Sequence, residues 1–252
     1  MKIIALIVTL FAGTAVISAQ VKSPAPAPVK VSFAESLQAV VVSTKDWTAT
    51  TGTATRFERA NAKAKWEKKG EAFSVVLGRS GTAWAKDSAP EKATDFKKEG
   101  DGKAPAGLFP LTFVFGSATK PEFLNFPYTK LESATECVDD AASAHYNKVV
   151  DKNKVGNFDW KSSEKMLAVG EEYGLGVFVA YNSYPVIKGD GSCIFLHVWK
   201  DSSTPTSGCT AMNRQDLERI VSWIEPTKNP YLVQLPESEL KKFRKKWNLP
   251  KP

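Results

Sequence analysis

Short apolar stretches separated by turns dominate the chain from about residue 31 onward. They are rich in β-branched and aromatic residues, and Gly or Pro brackets most of them. This pattern is typical of short strands rather than of long helices. The five clearest predicted strands are residues 38–43, 73–77, 107–115, 176–181 and 193–199.

Helical periodicity is confined to three stretches. The clearest is 213–224, which begins at Asn213, a suitable N-cap, and places its aliphatic residues on one stripe. Two further helices are predicted at 162–173 and 237–247. Because no internal repeat is present, the pattern predicts a single domain that is mainly β with peripheral helices.

The ends of the chain differ in composition from its middle. Residues 1–19 are predicted to be a secretory signal peptide, because a basic residue is followed by an apolar run and then by small residues. The apolar run is too short to span a membrane comfortably. We therefore expect an exported protein, periplasmic or secreted and cell-wall associated, without stable membrane insertion. A Pro-rich linker is predicted at 20–30, the folded domain at 31–235, and a basic helix or tail that packs on the domain at 236–252.

Composition narrows the possible chemistry. The chain has 252 residues, of which 42% are hydrophobic, so it can bury a core without a partner. The net charge is +7, but the cations are mostly scattered Lys, which argues against nucleic-acid binding. With two His and three Cys, no metal site is predicted and few residues can carry chemistry. The composition does not determine an oligomeric state.

One His and one Cys lie close together between residues 191 and 212. His197 precedes Cys209 by twelve residues, enough for a strand to end and the chain to turn back. A neighbouring base generates the thiolate that makes cysteine a nucleophile, and backbone N–H groups at Gly208 and Cys209 could bind an oxyanion. Alternatively, Cys209 is a buried or disulfide-bonded cysteine and His197 an ordinary histidine of a sheet.

Several motifs extend this pattern. They are Gly78-Arg79-Ser80-Gly81, the segment 100–111 (GDGKAPAGLFPL), Glu136-Cys137-Val138-Asp139-Asp140, and Thr206-Ser207-Gly208-Cys209 preceded by His197. Together they resemble the L,D-transpeptidase (YkuD-type) family, in a secreted bacterial branch that ends its motif Gly-Cys-Thr-Ala-Met. Ser207 stands where the commoner motif has a second His, and the spacer after His197 is short. The resemblance implies a YkuD-like β-sandwich.

The resemblance also implies an activity. Cys209, activated by His197, would attack a peptidoglycan stem tetrapeptide, release D-Ala and form a thioester that an amine of a second stem resolves into a crosslink. Water as the acceptor would make the protein a carboxypeptidase or another cysteine amide hydrolase. The alternative that is not an enzyme is a non-catalytic peptidoglycan-binding module. Stem peptides are the expected partners, and the reaction needs no cofactor.

Further residues complete the predicted site. The candidates for substrate binding are Ser207, Trp199, Tyr146, Tyr181, Asn182 and Arg214. With Cys209 assigned as the nucleophile, Cys137 and Cys193 are predicted to form a disulfide, because an exported protein folds in an oxidising compartment. A Cys193–Cys209 bond would compete with this assignment, and three free thiols are the expectation for a reducing compartment.

Overall fold

The computed structural model of the protein describes residues 32–252, so the predicted signal peptide and linker lie outside the described residues. The fold is mainly β with peripheral helices, as the sequence predicts. The strands β1 to β13 are Gln38–Thr44, Thr51–Glu58, Glu67–Val76, Thr82–Trp84, Ala104–Gly116, Tyr128–Lys130, Thr135–Cys137, Val149–Asp151, Glu164–Lys165, Leu175–Val179, Phe195–Val198, Thr210–Met212 and Tyr231–Pro236. The α-helices are α1, Arg214–Val221, and α2, Glu237–Phe243, and the 3-10 helices are Phe33–Glu35, Met166–Tyr173 and Pro226–Lys228.

The predicted elements are largely present, with different ends. The five predicted strands correspond to β1, β3, β5, β10 and β11. Helix α1 starts as expected, because the Asn213 side chain accepts a hydrogen bond of 2.8 Å from the Asp216 N–H. The prediction of a helix at 162–173 is wrong. This segment begins with strand β9, and the 3-10 helix that follows is interrupted at Gly170, where φ is +85°. Helix α2 ends at Phe243 rather than at residue 247.

The main sheet closes on itself. Its order is β10-β11-β12-β3-β2-β1-β13-β5, and β5 also pairs with β10. Strand β5 closes it because it has two partners: Gly107–Pro110 pair with β13, and the residues from Leu111 to Gly116 pair with β10. Strands β4 and β6 extend the sheet from β5, and β8-β7-β9 form a separate small sheet.

The interior of the closed sheet is an aliphatic core. Alternate residues of each strand point into it, as Leu196 and Val198 of β11 do, and the predicted apolar stripe of α1 joins the same cluster. A second cluster lies outside β1 and β13, where α2 packs with aromatic side chains such as Trp84 and Tyr231. The C-terminal segment therefore packs onto the domain as predicted, since Leu240 and Phe243 belong to this cluster.

A third cluster positions the site. It contains the other face of β10 and β11, the 3-10 helix Met166–Tyr173 and the start of the small sheet. Its members include Phe195, Tyr173 and Cys209. The candidate cysteine therefore lies under a cover made by the chain between β7 and β10, and not at an open strand edge.

Candidate active site

Cys209 directly precedes β12 and lies beside β11. Its register follows from the parallel pairing of Leu196 with Thr210, which puts Phe195 next to Cys209. The Phe195 N–H donates a hydrogen bond of 3.3 Å to Cys209 Sγ, and the thiol donates one of 3.4 Å to the Cys193 carbonyl. The residue is only 8% exposed. Cys209 is the one free cysteine of the chain, because the other two are joined.

The turn before Cys209 requires glycine. Gly208 has φ of +150°, and a Cβ there would lie 2.9 Å from the Lys103 carbonyl oxygen. Thr206 stabilises the same turn with two hydrogen bonds. Its hydroxyl accepts one of 3.1 Å from the Gly208 N–H and donates one of 2.7 Å to the Cys209 carbonyl. The predicted oxyanion donor Gly208 N–H is thus bonded to Thr206 in this structure.

His197 lies on the same strand face as Phe195, opposite Ala211 of β12. His197 therefore lies two residues, roughly 7 Å, further along the strand than Phe195, the residue beside Cys209. Its Nδ1 lies 2.8 Å from the Val198 carbonyl, and the ring also contacts the Glu172 backbone. Burial lowers the pKa of His197, although both backbone contacts oppose the shift. Among the described residues, no hydrogen bond joins His197 to Cys209.

Tyr173 contacts both of these residues. Its ring packs edge-on against the imidazole of His197, with the ring centroids 5.3 Å apart. Its hydroxyl donates a hydrogen bond of 2.6 Å to Glu164 Oε2 and lowers the pKa of the Cys209 thiol. Tyr173 is 6% exposed and packs on Phe195 and Phe115. Sequence reasoning missed Tyr173 and Glu164, because the segment 162–173 carries only a weak helical pattern.

The electrostatics keep the resting thiol neutral. Burial raises the pKa of Cys209, and the negative charge of Glu164 adds to the shift. The Phe195 N–H, the charge of Lys97 and the Tyr173 hydroxyl lower the pKa of Cys209 but do not compensate. Burial also raises the pKa of Glu164 to about 7, against the hydrogen bond from Tyr173. The half-buried Glu164 carboxyl, which is bonded to Tyr173, therefore titrates near neutral pH.

The disulfide joins Cys137 of β7 to Cys193, which precedes β11, as in the pairing expected from the sequence. It fastens the small sheet to the main one. The Cys193 N–H donates a hydrogen bond of 3.0 Å to Asn147, and its carbonyl accepts the bond from the Cys209 thiol. The disulfide therefore holds the backbone that contacts the candidate nucleophile.

Three of the predicted substrate-binding residues support the loop before Cys193. The Tyr146 hydroxyl accepts a hydrogen bond of 3.0 Å from the Gly191 N–H and donates to Glu99. The Tyr181 hydroxyl donates to the Asp190 carbonyl, and the Asn182 amide donates to the Ile187 and Gly191 carbonyls. Both tyrosines are buried. In this structure these side chains order the backbone, and Tyr181 and Asn182 also line a small pocket together with Lys86 and Tyr184.

The other predicted substrate-binding residues are more exposed. Ser207 is exposed and accepts a hydrogen bond of 3.0 Å from Arg79. Trp199 is half-buried just beyond the end of β11, where its backbone N–H donates a hydrogen bond to the Met212 carbonyl. Arg214 forms an ion pair of 3.2 Å with Glu171 on the 3-10 helix. Ser207, two residues before Cys209, and its partner Arg79 are both exposed to solvent.

Within residues 32–252, no three His, Cys, Asp or Glu side chains are grouped so as to hold a metal ion. No helix in that part of the chain has the length and apolar character needed to cross a bilayer.

Comparison with known families gives a match that covers most of the chain. The sequence profile described as L,D-transpeptidase catalytic domain (YkuD) matches residues 51–233, a range that contains the turn at Gly208, the candidate cysteine and the covering segment. Neither a curated protein nor a solved structure matches the chain significantly.

Proposed function

The chain belongs to the L,D-transpeptidase catalytic domain (YkuD) family, which acts on peptidoglycan, and on this premise we propose that it is a cysteine-dependent L,D-transpeptidase. Its substrate in this proposal is a stem tetrapeptide. The observation that carries the proposal is Cys209 itself. The family match spans this residue, which is a free thiol. It follows a turn that Thr206 stabilises by hydrogen bonds and that requires glycine at position 208.

In the reaction we propose, the Cys209 sulfur attacks the carbonyl carbon of the bond to the terminal D-Ala. The C–S bond forms, the C–N bond breaks, and D-Ala leaves as the amine with the proton that the thiol gave up. An amine of a second stem then attacks the thioester, which forms the crosslink and frees the thiol. His197 is the base that the sequence predicts for the thiol proton, and Tyr173 contacts both it and Cys209.

We also propose that the protein works outside the cytoplasm. The predicted signal peptide supports export. The disulfide between Cys137 and Cys193 supports an oxidising compartment, because such bonds are rare in reducing ones. A periplasmic or secreted enzyme reaches the cell wall directly.

Intact-protein mass spectrometry after incubation with a purified disaccharide tetrapeptide tests the activity. The wild type is expected to gain an acyl adduct, release D-Ala and form crosslinked dimers, whereas Cys209→Ala does none of these. D-Ala release without dimers would make water the acceptor and the protein a carboxypeptidase. Neither adduct nor release, from folded protein that still binds peptidoglycan, would favour a binding module.

A further inference from the structure

Arg79 lies beside the turn that precedes Cys209. It follows shortly after β3 ends, and its backbone N–H donates a hydrogen bond of 2.8 Å to the Thr206 carbonyl. The Thr206 N–H donates one of 2.8 Å to the Leu77 carbonyl, and Gly78 forms a parallel bridge with Thr206. The main chain therefore holds Arg79 next to the turn that ends at the candidate nucleophile.

The Arg79 side chain contacts the same turn. Its Nη1 donates a hydrogen bond of 3.0 Å to the Ser207 hydroxyl oxygen. The side chain also packs on Gly102, where an added Cβ would lie 3.0 Å from Arg79 Cζ and 3.1 Å from Arg79 Cγ. Because Gly102 has φ of +71°, both its backbone conformation and this contact favour glycine. The guanidinium therefore has a defined position against Ser207 and the Gly102 backbone.

No acidic side chain neutralises Arg79 within residues 32–252, where its bond to Ser207 is the only hydrogen bond of its guanidinium. The two aspartates of the adjacent segment 95–103 are instead paired with lysines of that segment. These pairs are Asp95–Lys103, at 2.6 Å, and Asp101–Lys97, at 2.7 Å. The positive charge of Arg79 is therefore uncompensated, and most of its N–H groups are available to a ligand.

The chemistry of this pair of side chains fits a carboxylate. A guanidinium binds a carboxylate through two parallel N–H···O bonds, and such charge-assisted bonds are stronger than neutral ones. The Ser207 hydroxyl accepts its bond from Arg79, so its own O–H can donate to the same anion. Both residues are exposed, and a ligand can therefore reach them.

We propose that Arg79 and Ser207 form a subsite for the carboxylate of the terminal D-Ala of the donor stem. This assignment rests on the proposed function, in which Cys209 attacks the carbonyl carbon of the bond to that D-Ala. The carboxylate then lies one residue beyond the reacting carbonyl. Ser207 lies two residues before Cys209, a separation of at most about 7 Å along the chain, so the two groups are close enough for one ligand to contact both.

Such a subsite selects the donor and leaves the transfer itself to Cys209 and His197. A stem that ends in an amide has no charge at the position of Arg79, and it leaves the guanidinium without its anion. Arg79 binds the D-Ala that departs and not the part of the stem that becomes the acyl group. Its contribution is therefore confined to binding of the donor and formation of the thioester.

NMR titration of two matched ligands into the full chain carrying Cys209→Ala tests the subsite without turnover. One ligand is the disaccharide tetrapeptide with its free terminal carboxylate, and the other is the same compound with a terminal carboxamide. The Cys209→Ala protein is expected to bind the acid about thirtyfold more tightly than the amide. Adding Arg79→Gln should reduce this preference to about twofold or less, by weakening binding of the acid alone.

Further variants separate the subsite from a general effect of charge. Arg244→Gln removes another exposed arginine, at the C-cap of α2, and should keep the full preference. Ser207→Ala removes one neutral donor and should weaken binding of the acid about threefold. An equal loss for acid and amide in Arg79→Gln overturns the proposal, because Arg79 would then hold another part of the stem or the fold itself. If Arg79→Gln does not fold, equal affinity of the Cys209→Ala protein for the two ligands overturns it.

The two proposals fail separately. A preference for the acid that depends on Arg79, with no turnover of stem peptide by the wild type, would refute the transpeptidase while supporting the subsite. Turnover by the wild type would support the transpeptidase, and the subsite would still be wrong if Arg79→Gln left the preference unchanged or if neither ligand bound.

Discussion

The ring of Tyr173 lies edge-on against the imidazole of His197, with an interplanar angle of 69° and the centroids 5.3 Å apart. The same tyrosine belongs to the buried cluster that contains Cys209. The residue that sequence reasoning assigns as the base therefore packs on this cluster, and among the described residues no hydrogen bond joins it to the nucleophile. This relationship makes the role of His197 a question that substitution can answer.

His197→Asn is expected to lower the rate of acyl-enzyme formation about a hundredfold or more, because it removes the predicted base for the thiol proton. A rate in His197→Asn as high as that of the wild type would exclude His197 as the base. Stopped-flow rates between pH 5 and 9 measure this. His145→Asn, which removes the other histidine, packed on Trp160, is the control and should match wild type.

Gly208→Ala is expected to destabilise the protein by about 1 to 3 kcal/mol, because it forces a strained backbone and places a Cβ 2.9 Å from the Lys103 carbonyl. Acyl-enzyme formation should fall with it, since the turn sets the position of Cys209. Urea unfolding measures the stability. Gly156→Ala shares a positive φ, +66°, but meets nothing within 4 Å, so it should cost only about 1 kcal/mol. Equal costs for the two variants would refute the contact with Lys103.

Replacing both Cys137 and Cys193 by Ser is expected to lower the free energy of unfolding by about 4 kcal/mol, given the 56-residue separation that the bond closes. The Cys193 carbonyl also contacts the Cys209 thiol, so the alkylation rate of Cys209 should change as well. Denaturant unfolding of the double variant and of reduced wild type checks this. A loss below about 1 kcal/mol would contradict the expectation that the disulfide holds the small sheet on the main one.

Glu136 is expected to make stability sensitive to acid. Burial opposes its ionisation, but hydrogen bonds from Lys165, Ser163 and Trp160 lower its pKa from 4.5 to about 2. The stabilisation is thus complete above about pH 4.5 and is lost as the pH falls through about 2, which amounts to about 3 kcal/mol.

Chemical unfolding between pH 5 and 2 measures this contribution. Glu136→Gln should flatten the decline, although it costs stability at neutral pH. Glu122→Gln, at an exposed carboxylate, should leave the slope unchanged. A decline in Glu136→Gln as steep as that of the wild type would assign the acid sensitivity to other groups.

The sequence by itself determined the local features of this protein. Alternation along β11 separates Leu196 and Val198 from Phe195 and His197, because successive side chains of a strand point to opposite faces. Asn213 marks the start of α1, because an N-cap satisfies a backbone N–H within its own turn. The position of a cysteine directly after a glycine, twelve residues beyond a histidine, is likewise readable from residues alone.

Tertiary structure decided everything that depends on residues far apart in the chain. The short strand β12 and the central strand β13 carry little pattern of their own, and their pairing with β11, β1 and β5 makes them strands. Both faces of β11 are buried because the segment that ends at Tyr173 covers the second one. The contacts from Glu164 to Tyr173 and on to His197 join residues 33 positions apart, and no periodicity encodes such contacts, since packing between separate elements creates them.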